Sequence, residues 1–203
     1  MRINSHLYKR FFSPSKSDKN IFVQLGPGKT NYLKGWVNVD SNIISGKLDV
    51  WCDLRYGIPF KKSTVDAFYS HHVIEHLPNI NYHFKEVYGC LKKGGIYRFG
   101  GPHGDNAIKK FIANDYSWFH DFPDKRKSIG GKFENFIFCR GEHLTILTFS
   151  MLEEMLSEVG FKEIKLMLPV KESSRFNIFK KCLEIEYEGD FQSPHTIIIE
   201  ASK

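Results

Sequence analysis

Cysteine is scarce and scattered in this 203-residue chain. The four residues, Cys52, Cys90, Cys139 and Cys182, make no CxxC pair. That spacing argues against a disulfide framework or a zinc ribbon and reads as reduced thiols in a cytoplasmic protein. No apolar run approaches the ~20 residues that span a bilayer. The start, MRINSHLYKRFFSPSK, lacks the apolar centre of a secretion signal. Internal repeats and low-complexity linkers are absent too. Acids are the minority charge, 23 Asp and Glu against 29 Lys and Arg, which leaves a net charge of +6. With 41% hydrophobic and 26% charged residues, the chain can bury the core of one ordinary domain and is neither disordered nor membrane-embedded.

The basic excess is uneven. Arg2, Lys9, Arg10, Lys16 and Lys19 stand against Asp18 alone in the first twenty residues, and Lys171, Arg175, Lys180 and Lys181 form a second cluster. Such surfaces attract nucleic acid, anionic lipid or phosphorylated substrates, or are simply solvated. Residues 1–20 read as an arm or short helix, with peripheral membrane contact as one use for it.

What is present is a succession of short apolar runs. IFVQL (21–25), WVNVD (36–40), the stretch near DVWCDL (49–54), STVDAFYS (63–70), GIYRFGGP (95–102), FKEIKLML (161–168) and HTIIIEA (195–201) read as strands. Phe84, Val87, Tyr88 and Leu91 recur at helical spacing before Gly94-Gly95. Ser150 and Glu153 make a capping-box pattern ahead of Met151, Leu152, Met155, Leu156 and Val159, and Gly160 ends that helix. Strands separated by helices predict an α/β fold: a Rossmann-like, doubly wound, mostly parallel seven-stranded sheet. The segment between the last two strands shows no good helical pattern, which predicts an antiparallel last strand. Residues 101–145 break the pattern and are rich in aromatics: Phe111, Tyr116, Trp118, Phe119, Phe122, Phe133, Phe136 and Phe138. This insertion after the fifth strand reads as a lid or pocket wall, or as a satellite hydrophobic cluster.

The stretch VQLGPGKTNYLKGWVNVD (23–40) carries the first chemical signal. Gly26 and Gly28 directly after a buried strand let a ligand approach the backbone, and exposed amides there suit a polar or anionic group. Asp40, ending the next strand, can accept bonds from ribose hydroxyls. The full GxGxxG is absent, since residue 31 is Asn. The connection is too short for a long crossover helix, which argues against a dinucleotide dehydrogenase.

VQLGPG (23–28), WVNVD (36–40), CDLRYGIPF (52–60), STVDAFYSHHVIEHLP (63–78) and FKEVYGCLKKGGIYRFGGP (84–102) stand in one order and spacing. Together they resemble a class I S-adenosylmethionine-dependent methyltransferase of the methyltransferase-11 type. GFKEIKLMLP and TIIIEA resemble its closing strands. The likeness spans roughly residues 20–202, so residues 21–203 are expected to be the methyltransferase domain. The short loop before WVNVD resembles a bacterial subgroup often linked to glycan or polysaccharide pathways. The resemblance implies S-adenosylmethionine as cofactor. It places Gly26 and Gly28 along the methionine part, Asp40 on the ribose, Asp53 at the adenine amino group, the Leu54 backbone at a ring nitrogen, and Ser70 and His71 near the sulfonium and amino-acid end. Gln24 stands where the family usually has an acid. It keeps a hydrogen-bond acceptor but loses the charge attraction to an ammonium.

His72-Val-Ile-Glu75-His76 also fits the H-x-x-E-H spacing of inverted zinc peptidases. A peptidase of that type needs a third ligand on a helical framework, and the chain here reads as strand, turn, short helix. The resembled family carries V-x-E-H-L without metal. No metal is therefore expected, and Glu75 and His76 read as a polar brace. For methyl transfer to oxygen, the candidate bases are His143, His103 and His71, each also able simply to cap a turn or bind a carbonyl. The expected acceptor is a sugar, glycan or other small-molecule hydroxyl, phosphate-bearing or lipid-linked where the basic patches serve it. Alternatives are an RNA or protein methyltransferase, or a non-catalytic binding module on this fold. No NPPY or DPPY follows the fourth strand, which disfavours a base nitrogen and makes a nucleic-acid partner the weaker expectation.

Overall fold

The computed structural model describes residues 20–44 and 46–203. The arm or short helix expected at residues 1–20, with its basic side chains, falls almost wholly outside the described residues. Seven strands form one sheet: β1 (Phe22–Leu25), β2 (Val37–Asp40), β3 (Val50–Trp51), β4 (Val65–His71), β5 (Leu91–Pro102), β6 (Lys162–Met167) and β7 (Thr196–Ser202). Their order is β3-β2-β1-β4-β5-β7-β6. The pairs β1–β2, β1–β4, β2–β3 and β4–β5 are parallel, and β7 runs antiparallel between β5 and β6. Every run expected to be a strand is one, and the last is antiparallel as expected.

Alternation along the strands supplies two core faces. Val23, Leu25, Phe68, Tyr97, Phe99, Ile197 and Ile199 point to one side. There they meet α1 (Ile80–Cys90) through Phe84 and Val87, and α4 (Phe149–Val159) through Leu152 and Leu156. Each such side chain taken fully out of water contributes about 1.5–3 kcal/mol. The opposite face packs Ala67, Tyr69 and Ile96 against Leu33, Trp36, Phe179 and Cys182.

Three local readings need correction. First, α4 begins at Phe149 with Thr148 at its N-cap, whose own side chain makes no capping bond. The Ser150–Glu153 box does not form, because Ser150 already lies inside the helix; the first helical amide, that of Phe149, donates to Asp105 Oδ2 at 2.8 Å. Second, the segment between β6 and β7 does hold a helix, α5 (Phe176–Leu183), whose Phe179, Cys182 and Leu183 are buried. Its apolar positions follow i, i+3, i+6, i+7, but over only two turns. Third, the aromatic insertion is not irregular throughout. It contains α2 (Gly104–Ile112) and α3 (Ile129–Phe138), and it carries its own small core of Ala107, Trp118, Phe119 and Ile137.

The far half of the sheet is held by a buried cation. Arg98 on β5 is fully buried and grips Glu186 through Nε and Nη2, both at 2.8 Å. Its Nη1 reaches Glu200 of β7 at 2.8 Å and the Glu172 carbonyl at 2.9 Å. The four cysteines are free thiols, three of them buried. Among the described residues no helix is long and apolar enough to cross a membrane.

Candidate functional site

The carboxyl ends of β1, β2 and β4 open onto a cleft of about 410 Å³. β1 leaves the sheet at Gly26 (φ +70°), and Gly28 follows at φ +60°. Both need the left-handed region that glycine enters without strain. The Gly26 amide donates to the Val39 carbonyl at 2.8 Å, and the Gly28 amide donates to Asp40 Oδ2 at 2.9 Å. Asp40 Oδ1 accepts from the Asn42 amide at 2.9 Å. Each carboxylate oxygen has a second lone pair, so Asp40 keeps acceptor capacity toward the cleft. A Cβ on Gly28 would meet nothing within 4 Å, so the loop leaves open space beside its backbone.

Asp53, Leu54 and Arg55 form the opposite wall, with Cys52, Val73 and Leu77 as its apolar part. Asp53 caps the 3₁₀ turn Leu54–Tyr56. Its Oδ2 lies 2.7 Å from Arg55 Nη2. Hydrogen bonding from Arg55 holds the Asp53 carboxyl below the usual carboxylate range. A glycine cradle, a carboxylate at hydroxyl height and an apolar slot with a polar end fit the methionine, ribose and adenine parts of S-adenosylmethionine.

Thus Gly26, Gly28, Asp40, Asp53 and Leu54 are brought together. Three other candidates are not. Gln24 lies beneath the cleft, only 2% exposed, its Oε1 accepting from the Leu33 amide at 3.2 Å. Ser70 is fully buried and its hydroxyl pairs with Tyr97 Oη at 2.7 Å. His71 faces the space next door.

That space is a chamber of about 830 Å³. It lies between the insertion (Phe122, Pro123, Asn135, Phe136, Cys139, Glu142 and His143) and the chain leading into β7 (Tyr187–Asp190, His195 and Thr196). His72 and His76 line both the chamber and the cleft. Six of the chain's nine histidines line the chamber, which makes imidazole its main polar group. Among the described residues that line it, none is Lys or Arg. The phosphate-bearing acceptor expected from the basic clusters therefore finds no cation on this wall among the described residues. Arg175 instead lies beside Lys92 and Lys93 in a groove at the opposite, amino-terminal side of β1 and β4.

The three expected bases fare differently. His103 does not line the chamber. It is 7% exposed and caps α2, its Nδ1 accepting from the Asn106 amide. Burial pushes its ring down to about 4. His71 lines the chamber, but burial, with His72 and Arg98 nearby, drives it to about 3. His143 lines the chamber with Nδ1 on the Ile137 carbonyl at 3.0 Å, and burial lowers its pKa.

The group the sequence reading did not propose as a base is His72. Its Nδ1 sits 3.0 Å from Oε1 of the fully buried Glu75, and its side chain is 45% exposed. This carboxylate–imidazole pair leaves Nε2 as the ring nitrogen available to take a proton. The signal was present as H-x-x-E, three residues apart. Instead of a continuous helix, a left-handed residue at His72 (φ +54°) and the 3₁₀ turn Ile74–His76 bring the two side chains together.

Residues 42–99 match the family model described as a methyltransferase domain. The fold is shared with solved S-adenosylmethionine-dependent methyltransferases. One from Archaeoglobus fulgidus has 15% identity and a TM-score of 0.57, covering 100% of this chain and 95% of that one. One from Thermotoga maritima, described as a possible histamine N-methyltransferase, has 18% identity and a TM-score of 0.54, covering 100% and 89%. Phosphoethanolamine N-methyltransferase 2 of Haemonchus contortus, solved with phosphomonomethylethanolamine and S-adenosylhomocysteine, has 18% identity and a TM-score of 0.53. That match covers 99% of this chain and 52% of the other. No curated protein is significantly similar in sequence. The matched segment is thus similar to a methyltransferase domain, and the fold is the one that solved S-adenosylmethionine-dependent methyltransferases share.

Proposed function

We propose that the protein methylates a hydroxyl oxygen of a small molecule, with a sugar or glycan as the favoured acceptor. The carrying observation is the chamber, which adjoins the cofactor cleft through His72 and His76. Its size suits one small ligand. Phe122, Phe136 and Tyr187 offer ring faces, and imidazoles offer hydrogen bonds. When bound, S-adenosylmethionine supplies a methyl group activated by its sulfonium charge. Gly26, Gly28, Asp40, Asp53 and Leu54 would hold it, and the chamber walls would hold the acceptor oxygen in line, an effect of roughly 7–11 kcal/mol at best. His72 Nε2 takes the hydroxyl proton, and Glu75 orients the ring and balances the imidazolium charge. In this reading the insertion is the acceptor lid. The free thiols fit a reducing, cytoplasmic setting.

A second reading, methylation of an amine nitrogen, draws on Glu142 and Asp190 in the chamber wall. Two of the similar structures are also described as amine N-methyltransferases or possible ones. An acceptor panel with radiolabelled S-adenosylmethionine separates the two. Label on sugars or glycans supports the first reading. Label only on amines replaces it with the second.

A further inference from the structure

We propose that Glu75, His76 and His143 form a divalent transition-metal site between the cleft and the chamber, where the ion would take the acceptor's oxygen as a further ligand. The location of the site stands on its own geometry, whereas its role toward an acceptor rests on the function proposed above.

Three observations converge. One ligating atom from each of Glu75, His76 and His143 lies within 4.8 Å of the others. Donors on one ion at ~2.1 Å each are at most ~4.2 Å apart, so the set closes on a metal by side-chain shifts of under about 1 Å. Second, both imidazoles are already oriented as metal ligands usually are. His76 Nδ1 lies 3.0 Å from the Glu142 carbonyl, and His143 Nδ1 lies 3.0 Å from the Ile137 carbonyl. A carbonyl can only accept, so each Nδ1 carries the proton and each Nε2 keeps its lone pair. Third, Glu75 is fully buried, and its Oε2 has no hydrogen-bond partner among the described residues. A buried carboxylate oxygen is costly without one. Oε1 is engaged by His72, so Oε2 is the atom left for an ion. Gly101 leaves room for it, since a Cβ there would come within 3.1 Å of Oε2.

The backbone holds this arrangement. The Leu144 amide donates to the Glu75 carbonyl at 2.7 Å, fixing the end of the insertion to the turn that carries Glu75 and His76. The His76 and His143 rings meet edge to face at 4.8 Å between centroids. Two imidazoles and one carboxylate suit Zn²⁺, Co²⁺ or Fe²⁺ better than Mg²⁺ or Ca²⁺, which prefer all-oxygen sets. Three protein ligands leave open positions, and a hydroxyl bound there is acidified. His76 and His143 both line the chamber, so those positions face the proposed acceptor. The inverted zinc-peptidase spacing in the sequence thus supplies two of the ligands, Glu75 and His76. The third comes from the insertion, and His72 braces the carboxylate instead of binding.

The test is Co²⁺ titration of chelator-dialysed full chain, followed by visible absorption and calorimetry, with Zn²⁺ as competitor. His143→Ala, His76→Ala and Glu75→Gln are run beside wild type, and His120→Ala, a chamber histidine outside the set, serves as control. S-adenosylmethionine is titrated into the same samples. The expected result is one Co²⁺ per chain in wild type and His120→Ala, with at least ~100-fold weaker binding in the folded members of the other three. No stoichiometric Co²⁺ in wild type overturns the site, as does full-affinity binding in His143→Ala and His76→Ala. Wild type that binds S-adenosylmethionine but no Co²⁺ overturns the metal site alone. Co²⁺ lost in the ligand variants, with no S-adenosylmethionine bound by wild type, supports the site and counts against the methyltransferase reading instead.

Discussion

Nδ1 of His72 lies 3.0 Å from Oε1 of Glu75, a carboxylate with no solvent exposure. The pair sits where the cleft and the proposed acceptor chamber share a wall. His195 in the chamber also pairs with a buried carboxylate, Glu188 at 3.2 Å, but its Nε2 is held by the Trp118 carbonyl at 2.6 Å, whereas His72 keeps its Nε2 uncommitted among the described residues. Replacing His72 by Ala is expected to lower kcat by ~10²–10⁴-fold, the usual worth of a positioned base. S-adenosylmethionine affinity should change by no more than a few fold, and His71→Ala should leave kcat within a few fold. Steady-state kinetics with the acceptor found by the panel checks this. An unchanged kcat in His72→Ala removes His72 from the mechanism.

Asp40 holds the Gly28 amide and faces the cleft. Asp40→Ala should weaken S-adenosylmethionine binding by about 1.5–3 kcal/mol, or roughly 10–150-fold, the range for a charged hydrogen-bonding partner. Calorimetric titration measures it, and equal affinity in the variant would place the ribose elsewhere.

The two loop glycines should respond differently. A Cβ on Gly26 would lie 2.4 Å from Val73 Cγ2 at φ +70°, so Gly26→Ala combines steric overlap with backbone strain. The expected loss is ~2–5 kcal/mol of stability. Gly28→Ala meets open space and should lose only ~1–2 kcal/mol from its φ. Its added methyl enters the cleft, so cofactor affinity should fall more than stability does. Denaturant midpoints and calorimetry together separate the two effects.

Acid should unfold the protein through buried neutral histidines. Burial lowers His83 and His103 to about 4 from 6.5. The unfolded chain then binds more protons than the folded one as pH falls from 6.5 toward 4, so stability drops over that window. The slope is at most about 1.4 kcal/mol per pH unit for each ring. Above about pH 7.5 both rings are neutral in either state and the dependence from them vanishes. Urea denaturation from pH 7 to 4.5 checks this, and His83→Phe should flatten the curve.

Arg98 neutralises two buried acids, Glu186 and Glu200. Arg98→Met would leave both carboxylates without their cation and should destabilise the fold by ~3–5 kcal/mol. Replacing Arg98 and both glutamates together by apolar residues should recover part of that loss. Chemical denaturation of the variants is the measurement.

The seven strands were legible because each is a short apolar run closed by turn residues, and burial on two faces demands that pattern. Asp40 and the glycines were legible for a related reason, since they fall where β1 and β2 leave the sheet. Other features depend on contacts distant in sequence. His103 looked available at the end of β5, yet it caps the helix that follows. Ser150 looked like a cap, but the helix begins one residue earlier, where Asp105 from α2 receives the Phe149 amide. Gln24 looked like a cofactor ligand, but its alternation along β1 turns it toward Leu33. One wall of the chamber was legible in the aromatic insertion, but the other was not, because the chain leading into β7 is some fifty residues further on and meets the insertion only when β7 inserts beside β5.

His72 and His76 stand as a party wall between two ligand spaces. With cofactor in one and acceptor in the other, as proposed, occupancy on one side would change what those rings can offer the other, and the two affinities would be thermodynamically linked. Whatever factor one ligand gains from the other it must return, because the two binding free energies share a single coupling term.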